Sequence, residues 1–259
     1  MKLSFRKLGS GKPLFILHGL FGSSDNWQTL GKQFAGSFTV FLIDLRNHGR
    51  SPHSSLFNYS VMSDDIAELM QDEGIERAAL LGHSMGGKTA MHFAVQHAGM
   101  AERIIVADIG IKEYPATNQH VIDALEQVNL AEITSRQQAG EKLKALLADE
   151  ATIQFLLKNL YWTEAGRLGW RFNLEAIRRN IQFVGEATPV PAAPLTLPAL
   201  FLAGGNSTYI VRGDLEEIQV IFPRASLEVI PGAGHWIHAE QPALFIDAVM
   251  RFMNREQGG

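Results

Sequence analysis

Short apolar runs alternate along this chain with longer stretches whose apolar residues recur at helical spacing. The runs are Leu14–Leu17, Val40–Ile43, Ala78–Leu81, Ile104–Ala107, Leu200–Leu202 and Leu227–Ile230. Most are apolar throughout rather than alternating, the pattern of parallel strands covered on both faces. Between them, Val61, Ile66, Leu69 and Met70 fall at helical spacing behind Ser60, which reads as an N-cap. A second helical segment, Lys88–Gln96, directly follows a glycine pair. Leu215, Ile218, Ile221 and Phe222 form a further stripe, and Phe245, Val249 and Phe252 a last one. Strand, helix, strand repetition predicts an α/β fold with a mostly parallel, doubly wound sheet and right-handed crossovers.

The rhythm breaks between about residues 112 and 185. No convincing strand is legible there. Val121, Ile122, Leu125 and Val128, then Leu143, Leu146 and Leu147, then Phe155, Leu156 and Leu160, then Leu174, Ile177 and Ile181 read as amphipathic helices. Residues 187–198 follow, with four of the ten prolines, and read as a stiff extended return. The predicted organisation is a core in two parts, 1–111 and 186–259, the second opening with that linker. An all-helical cap, 112–185, interrupts it. No internal repeat is evident.

Composition narrows the picture. Hydrophobic residues are 46% and charged residues 19% of the 259, too ordinary a balance for a disordered chain. Lys+Arg 23 against Asp+Glu 27 gives a net charge of −4, so nucleic acid is not an expected partner. The absence of cysteine removes disulfides, thiolate metal sites and every cysteine nucleophile. No histidine or carboxylate spacing suggests a metal, and no cofactor is called for. No segment approaches the roughly 18 apolar residues of a membrane span. The run Leu14–Leu17 is too short for a signal-peptide core, so a soluble, cytoplasmic protein is expected.

The chemistry concentrates in Leu80-Leu81-Gly82-His83-Ser84-Met85-Gly86-Gly87-Lys88. An apolar strand runs into Gly-x-Ser-x-Gly and a helical pattern follows, the context of a nucleophile elbow. Gly82 and Gly86 stand where a Cβ would collide across the turn, which pushes Ser84 Oγ out at the carboxyl end of the sheet. A serine hydroxyl needs a base. Of nine histidines, His235 follows the last strand in the loop Pro231-Gly232-Ala233-Gly234-His235-Trp236 and can meet Ser84 at the sheet's carboxyl edge. His238 is read as structural, and His92 and His97 as packing or surface residues. The oxyanion donors are expected at the Met85 N–H and in the loop His18-Gly19-Leu20-Phe21-Gly22, from Leu20 or Phe21, with Leu20 favoured.

The acid that orients the base belongs between Ser84 and His235 in chain order. Its usual place follows the strand Leu200–Leu202, yet the loop Ala203–Ile210 holds no carboxylate, and Asp214 lies too far on. Asp108, at the carboxyl end of the strand next to the elbow, is assigned instead. Asp44 also ends a strand but precedes the nucleophile, and reads as a loop organiser. Phe155, Leu156, Tyr161 and Trp162 are candidates for an apolar acyl pocket under the cap. Tyr209 is placed at the site's edge, and His18, Phe21 and Trp236 are further substrate-binding candidates. Lys158, Arg178 and Arg179 read first as solvated surface charge, with contact to an anionic headgroup such as coenzyme A as the alternative.

These words together resemble the α/β-hydrolases over essentially the whole chain: His18-Gly19, Asp44–Ser51, Gly82–Gly87 and Gly232–Trp236. Gly204-Gly205-Asn206-Ser207 and Ala107-Asp108-Ile109 are similar to the small bacterial YbfF-type esterases. That resemblance implies an acid after the sixth strand of the fold, in agreement with Asp108. It also implies hydrolysis of small-molecule acyl esters, with acyl-CoA thioesters as a further substrate class. A carbon–carbon bond hydrolase, a cofactor-free haloperoxidase and a non-catalytic ligand receptor use the same fold. An intact triad argues against the receptor, and serine at 84 excludes a haloalkane dehalogenase, whose nucleophile is aspartate.

Overall fold

The computed structural model describes residues 1–115 and 118–255. The six apolar runs all form strands. They are joined by an N-terminal edge strand that the hydrophobic pattern does not reveal. In chain order these are β1 (Phe5–Leu8), β2 (Lys12–Leu17), β3 (Phe38–Ile43), β4 (Ala78–His83) and β5 (Ala101–Ala107). After a two-stranded hairpin, β6 (Leu160–Trp162) and β7 (Leu168–Trp170), come β8 (Ala199–Gly204) and β9 (Ala225–Ile230). The main sheet has the order β1-β3-β2-β4-β5-β8-β9, parallel except for β1, which pairs antiparallel with β3. The edge strand reads Phe-Arg-Lys-Leu, too short and too charged to stand out.

Neighbouring residues of each central strand enter different cores. Leu80, Ile104 and Phe201 face one cluster with α2 (Tyr59–Asp72) and α3 (Met85–Gln96). Leu81, Ile105 and Leu202 face the other with α1 (Gln28–Phe34) and α11 (Pro242–Met253). Both faces are covered, which is why the runs are apolar without alternation. The remaining core helices are α9 (Leu215–Ile221) and the short α10 (Ile237–Glu240). The N-cap of α2 is Asn58, whose side chain accepts from the Val61 N–H at 3.0 Å. Ser60 instead donates from its hydroxyl to Gln96 Oε1.

The segment between β5 and β8 carries α4 (Gln119–Gln127), α5 (Arg136–Lys144), α6 (Glu150–Leu157), α7 (Leu174–Arg179) and α8 (Ile181–Val184). It is helical except for the β6–β7 hairpin, so the expectation of helix alone is corrected there. Three-residue strands are too short to show a period of two. The two ends of the segment are tied together. The Tyr114 N–H donates to the Gly185 carbonyl at 2.8 Å, and the Thr188 N–H to the Ile111 carbonyl at 2.7 Å. Residues 187–198 contain no helix or strand. No helix among the described residues is long and apolar enough to cross a membrane.

Candidate active site

The parallel strands all end on one side of the sheet, and the candidate residues gather there. Ser84 follows β4 with φ 52° and ψ −116°, a conformation that costs a non-glycine residue of the order of 1–3 kcal/mol. The surrounding turn leaves no alternative. A Cβ on Gly82 would lie 2.1 Å from the Gly86 carbonyl oxygen, and one on Gly86 would lie 2.2 Å from the Leu17 carbonyl oxygen. The chain therefore turns from strand to helix within one residue, and Ser84 stands at the mouth of a cavity.

Asp108 occupies the matching position on β5, with φ 51° and no solvent exposure. Its carboxylate accepts three hydrogen bonds. Oδ1 takes the Gly204 N–H at 2.9 Å, and Oδ2 takes the Ser207 hydroxyl at 2.5 Å and His235 Nδ1–H at 2.8 Å. A buried carboxylate needs such donors to remain charged. The bond at Nδ1 leaves His235 Nε2 as the basic nitrogen. His235 and Ser84 border one cavity. The loop after β8, where no acid was found, thus supplies hydrogen-bond donors to the acid on the neighbouring strand.

Two further residues hold His235. The His83 Nε2–H donates to the His235 backbone carbonyl at 2.8 Å, and the Tyr209 ring stacks on the imidazole at 4.1 Å between centroids. Burial, reinforced by the neighbouring His238 and His235, pushes the proton affinity of His83 well below the usual histidine range, so it is a neutral donor. His238 stacks on Trp27 at 4.2 Å, in line with a structural role. It also borders the cavity, and burial brings its pKa down to about 3.

The loop after β2 separates the two oxyanion candidates. The Phe21 N–H donates to His48 Nε2 at 3.1 Å. The Leu20 N–H has no hydrogen-bond partner among the described residues, and neither has the Met85 N–H at the start of α3. His18 is not available to a substrate through its ring nitrogens. Its Nδ1–H donates to the Gly19 carbonyl and its Nε2 accepts from the Leu45 N–H. Burial lowers the proton affinity of His18, and brings the pKa of His48 down to about 3. Asn159, from the inserted segment, donates to the Phe21 carbonyl at 2.8 Å. Asp44 organises the next loop, accepting from the Ser24 and Arg50 N–H groups. His48, Asn159, Ser207 and His83 were missed as supports, because their roles rest on contacts between loops far apart in sequence.

Two cavities meet at Ser84. The larger, about 560 Å³, is bordered by His18, Leu20, Phe21, Phe155, Leu156, His235 and Trp236. The smaller, about 30 Å³, is bordered by Met85, Lys88, Ile109, Ile181 and Val184. Tyr209 borders both. Tyr161 and Trp162 border neither, contrary to expectation. They lie on β6, where Trp162 is 59% exposed and Tyr161 stacks under the Arg171 guanidinium. Lys158 reaches the larger cavity, but Arg178 pairs with Glu126 and Arg179 with Glu175, so no basic cluster forms. Lys88 is buried and donates to the Ile111 and Lys112 carbonyls. Burial brings its pKa down to about 7, against the opposing pull of Glu113 and Glu186. No group of three or more metal-ligating side chains exists among the described residues.

A strained serine thus stands between parallel strand and helix at the carboxyl edge of a doubly wound sheet, with the buried Asp108 after β5 bonded to His235 of the loop after β9. The chain belongs to the α/β-hydrolase fold family, whose model matches residues 12–242. It is an α/β-hydrolase of the esterase and lipase type. It is 40% identical to a Xenopus laevis protein named sn-1-specific diacylglycerol lipase ABHD11, over 94% of this chain and 80% of that one. It is 33% identical to Esterase YbfF of Escherichia coli K12, over 95% and 94% of the two chains. The solved structure of a marine microorganism esterase superposes with a TM-score of 0.94 at 41% identity, covering 97% of this chain and 99% of that one.

Proposed function

We propose that the protein hydrolyses carboxylic esters through Ser84, His235 and Asp108. The supporting observation is the Asp108–His235 hydrogen bond of 2.8 Å, made at the end of the strand beside the serine elbow. His235 Nε2 takes the Ser84 hydroxyl proton as Oγ bonds to the ester carbonyl carbon. Asp108 fixes the tautomer and stabilises the imidazolium. The Leu20 and Met85 N–H groups receive the oxyanion, each such donor contributing about 10²–10³ in rate. The bond to the alcohol oxygen then breaks, and that oxygen takes the proton from His235. Water repeats the sequence on the acyl-serine, releasing the acid and restoring Ser84.

Residues 112–185 act in this reading as a cap over the serine. Phe155 and Leu156 from that segment border the larger cavity, which supports it. Oxygen esters are favoured over coenzyme A thioesters. Lys158 is the one member of the proposed basic trio at the cavity. The test is release of nitrophenolate from p-nitrophenyl acetate, butyrate and octanoate, with Ser84→Ala in parallel. Turnover by the parent chain that Ser84→Ala abolishes is expected. A parent chain inert on all three esters would sink the reading.

A further inference from the structure

From the two cavities at Ser84 we infer that the enzyme is selective for short acyl groups carried on large, apolar alcohols. The inference rests on the ester-hydrolase reading and deepens it. A tetrahedral intermediate on Ser84 has four substituents, and three of their directions are fixed by the chemistry. One is the serine oxygen itself. The oxyanion turns to the Leu20 and Met85 N–H groups. The alcohol oxygen faces His235 Nε2, because that nitrogen must protonate it as it leaves. The acyl carbon takes the direction that remains.

The cavities divide in the same way. His235 and Leu20 border the larger cavity and not the smaller one. An alcohol leaving past His235 therefore lies in about 560 Å³, against Phe155 and Trp236, whose rings stand 5.2 Å apart between centroids. The acyl group lies on the other side of Tyr209, in about 30 Å³ bordered by Ile109, Ile181 and Val184. So small a space, against about 560 Å³ on the other side, suits an acetyl or propionyl group. Lys88 also borders it, with its amine held by the Ile111 and Lys112 carbonyls, so part of its wall is polar and unsuited to a longer alkyl chain.

An isomeric pair separates the two halves without changing overall hydrophobicity. Octyl acetate and ethyl octanoate have the same atoms, with the long chain on the alcohol in one and on the acyl group in the other. The expected kcat/KM ratio is roughly 10-fold or more in favour of octyl acetate, the scale on which even a single misfitting methylene is discriminated. Val184→Ala, at a half-buried position that tolerates truncation, should narrow the ratio by raising turnover of ethyl octanoate. Phe155→Ala should raise KM for octyl acetate more than for ethyl acetate. Equal or faster hydrolysis of ethyl octanoate by the parent chain overturns the partition and leaves the ester reading standing. Failure to cleave either isomer, together with p-nitrophenyl acetate, overturns the ester reading itself and the partition with it.

Discussion

The ends of β4 and β5 are the same place in the fold, built for two purposes. His83 and Ala107 are register partners, so Ser84 and Asp108 are the next pair along the sheet, and the Ser84 N–H donates to the Ala107 carbonyl at 3.0 Å. Both residues are left-handed, at φ 52° and 51°. What holds them there differs. Ser84 is confined by sterics, between glycines that leave no room for a Cβ. Asp108 is held by hydrogen bonds to its own side chain from three separate residues. One end exposes an oxygen to substrate. The other withdraws its oxygens from water and spends them on His235 and the loop after β8. The proposed nucleophile is thus placed by its backbone and the proposed acid by its side chain.

That contrast can be broken from either end. Ser84→Ala removes the proposed nucleophile and should lower kcat/KM by roughly 10⁵-fold or more, read from nitrophenolate release. Asp108→Asn should cost about 10⁴-fold in kcat. Asparagine tolerates the left-handed conformation, so the thermal transition should stay cooperative. An Asp108→Asn protein with nearly full activity would place the acid elsewhere. Ser84→Gly sharpens the steric half of the comparison. It relieves the φ of 52° and should stabilise the fold by about 1 kcal/mol while abolishing activity, seen as a raised Tm. Asp108→Gly, which loses the hydrogen bonds, should lower Tm instead.

A last effect concerns the neighbouring strand ends, which hold neutral imidazoles. His48 follows β3 and His238 faces β4, each with a pKa near 3 when folded because burial disfavours the charged ring. An unfolded histidine titrates near its ordinary 6.5. Between those values the unfolded chain binds more protons than the folded one, so stability rises with pH. It is fully present above about pH 6.5 and is lost as pH falls toward 3. The urea midpoint should therefore be lower at pH 5 than at pH 7. Substituting His48 with Phe should flatten part of that slope.

The legibility of the sequence follows the same division. Sterically forced features were readable: central strands appear as apolar runs, and the elbow appears because only glycine fits at 82 and 86. Asp108 was found because the loop after β8 lacks a carboxylate and Asp108 ends the strand beside the elbow. Its donors, Gly204 and Ser207, were not recognised as such, since side-chain hydrogen bonding across 96 and 99 positions leaves no local pattern. β6 and β7 escaped because each has three residues. Amphipathicity alone points Tyr161 and Trp162 to the pocket, and on the hairpin they border neither cavity.

The Asn159 amide on the Phe21 carbonyl spans 138 positions of chain, and the His83 bond to the His235 carbonyl spans 152. This spacing sets an order in time. During synthesis the elbow and Asp108 emerge first, the Asn159 support for the oxyanion-candidate loop later, and His235 after both. In the proposed mechanism, a nascent or truncated chain stopping before residue 235 holds Ser84 without the histidine that would deprotonate it. On the proposed mechanism, activity toward esters is expected only once His235 has emerged and the chain has closed upon itself.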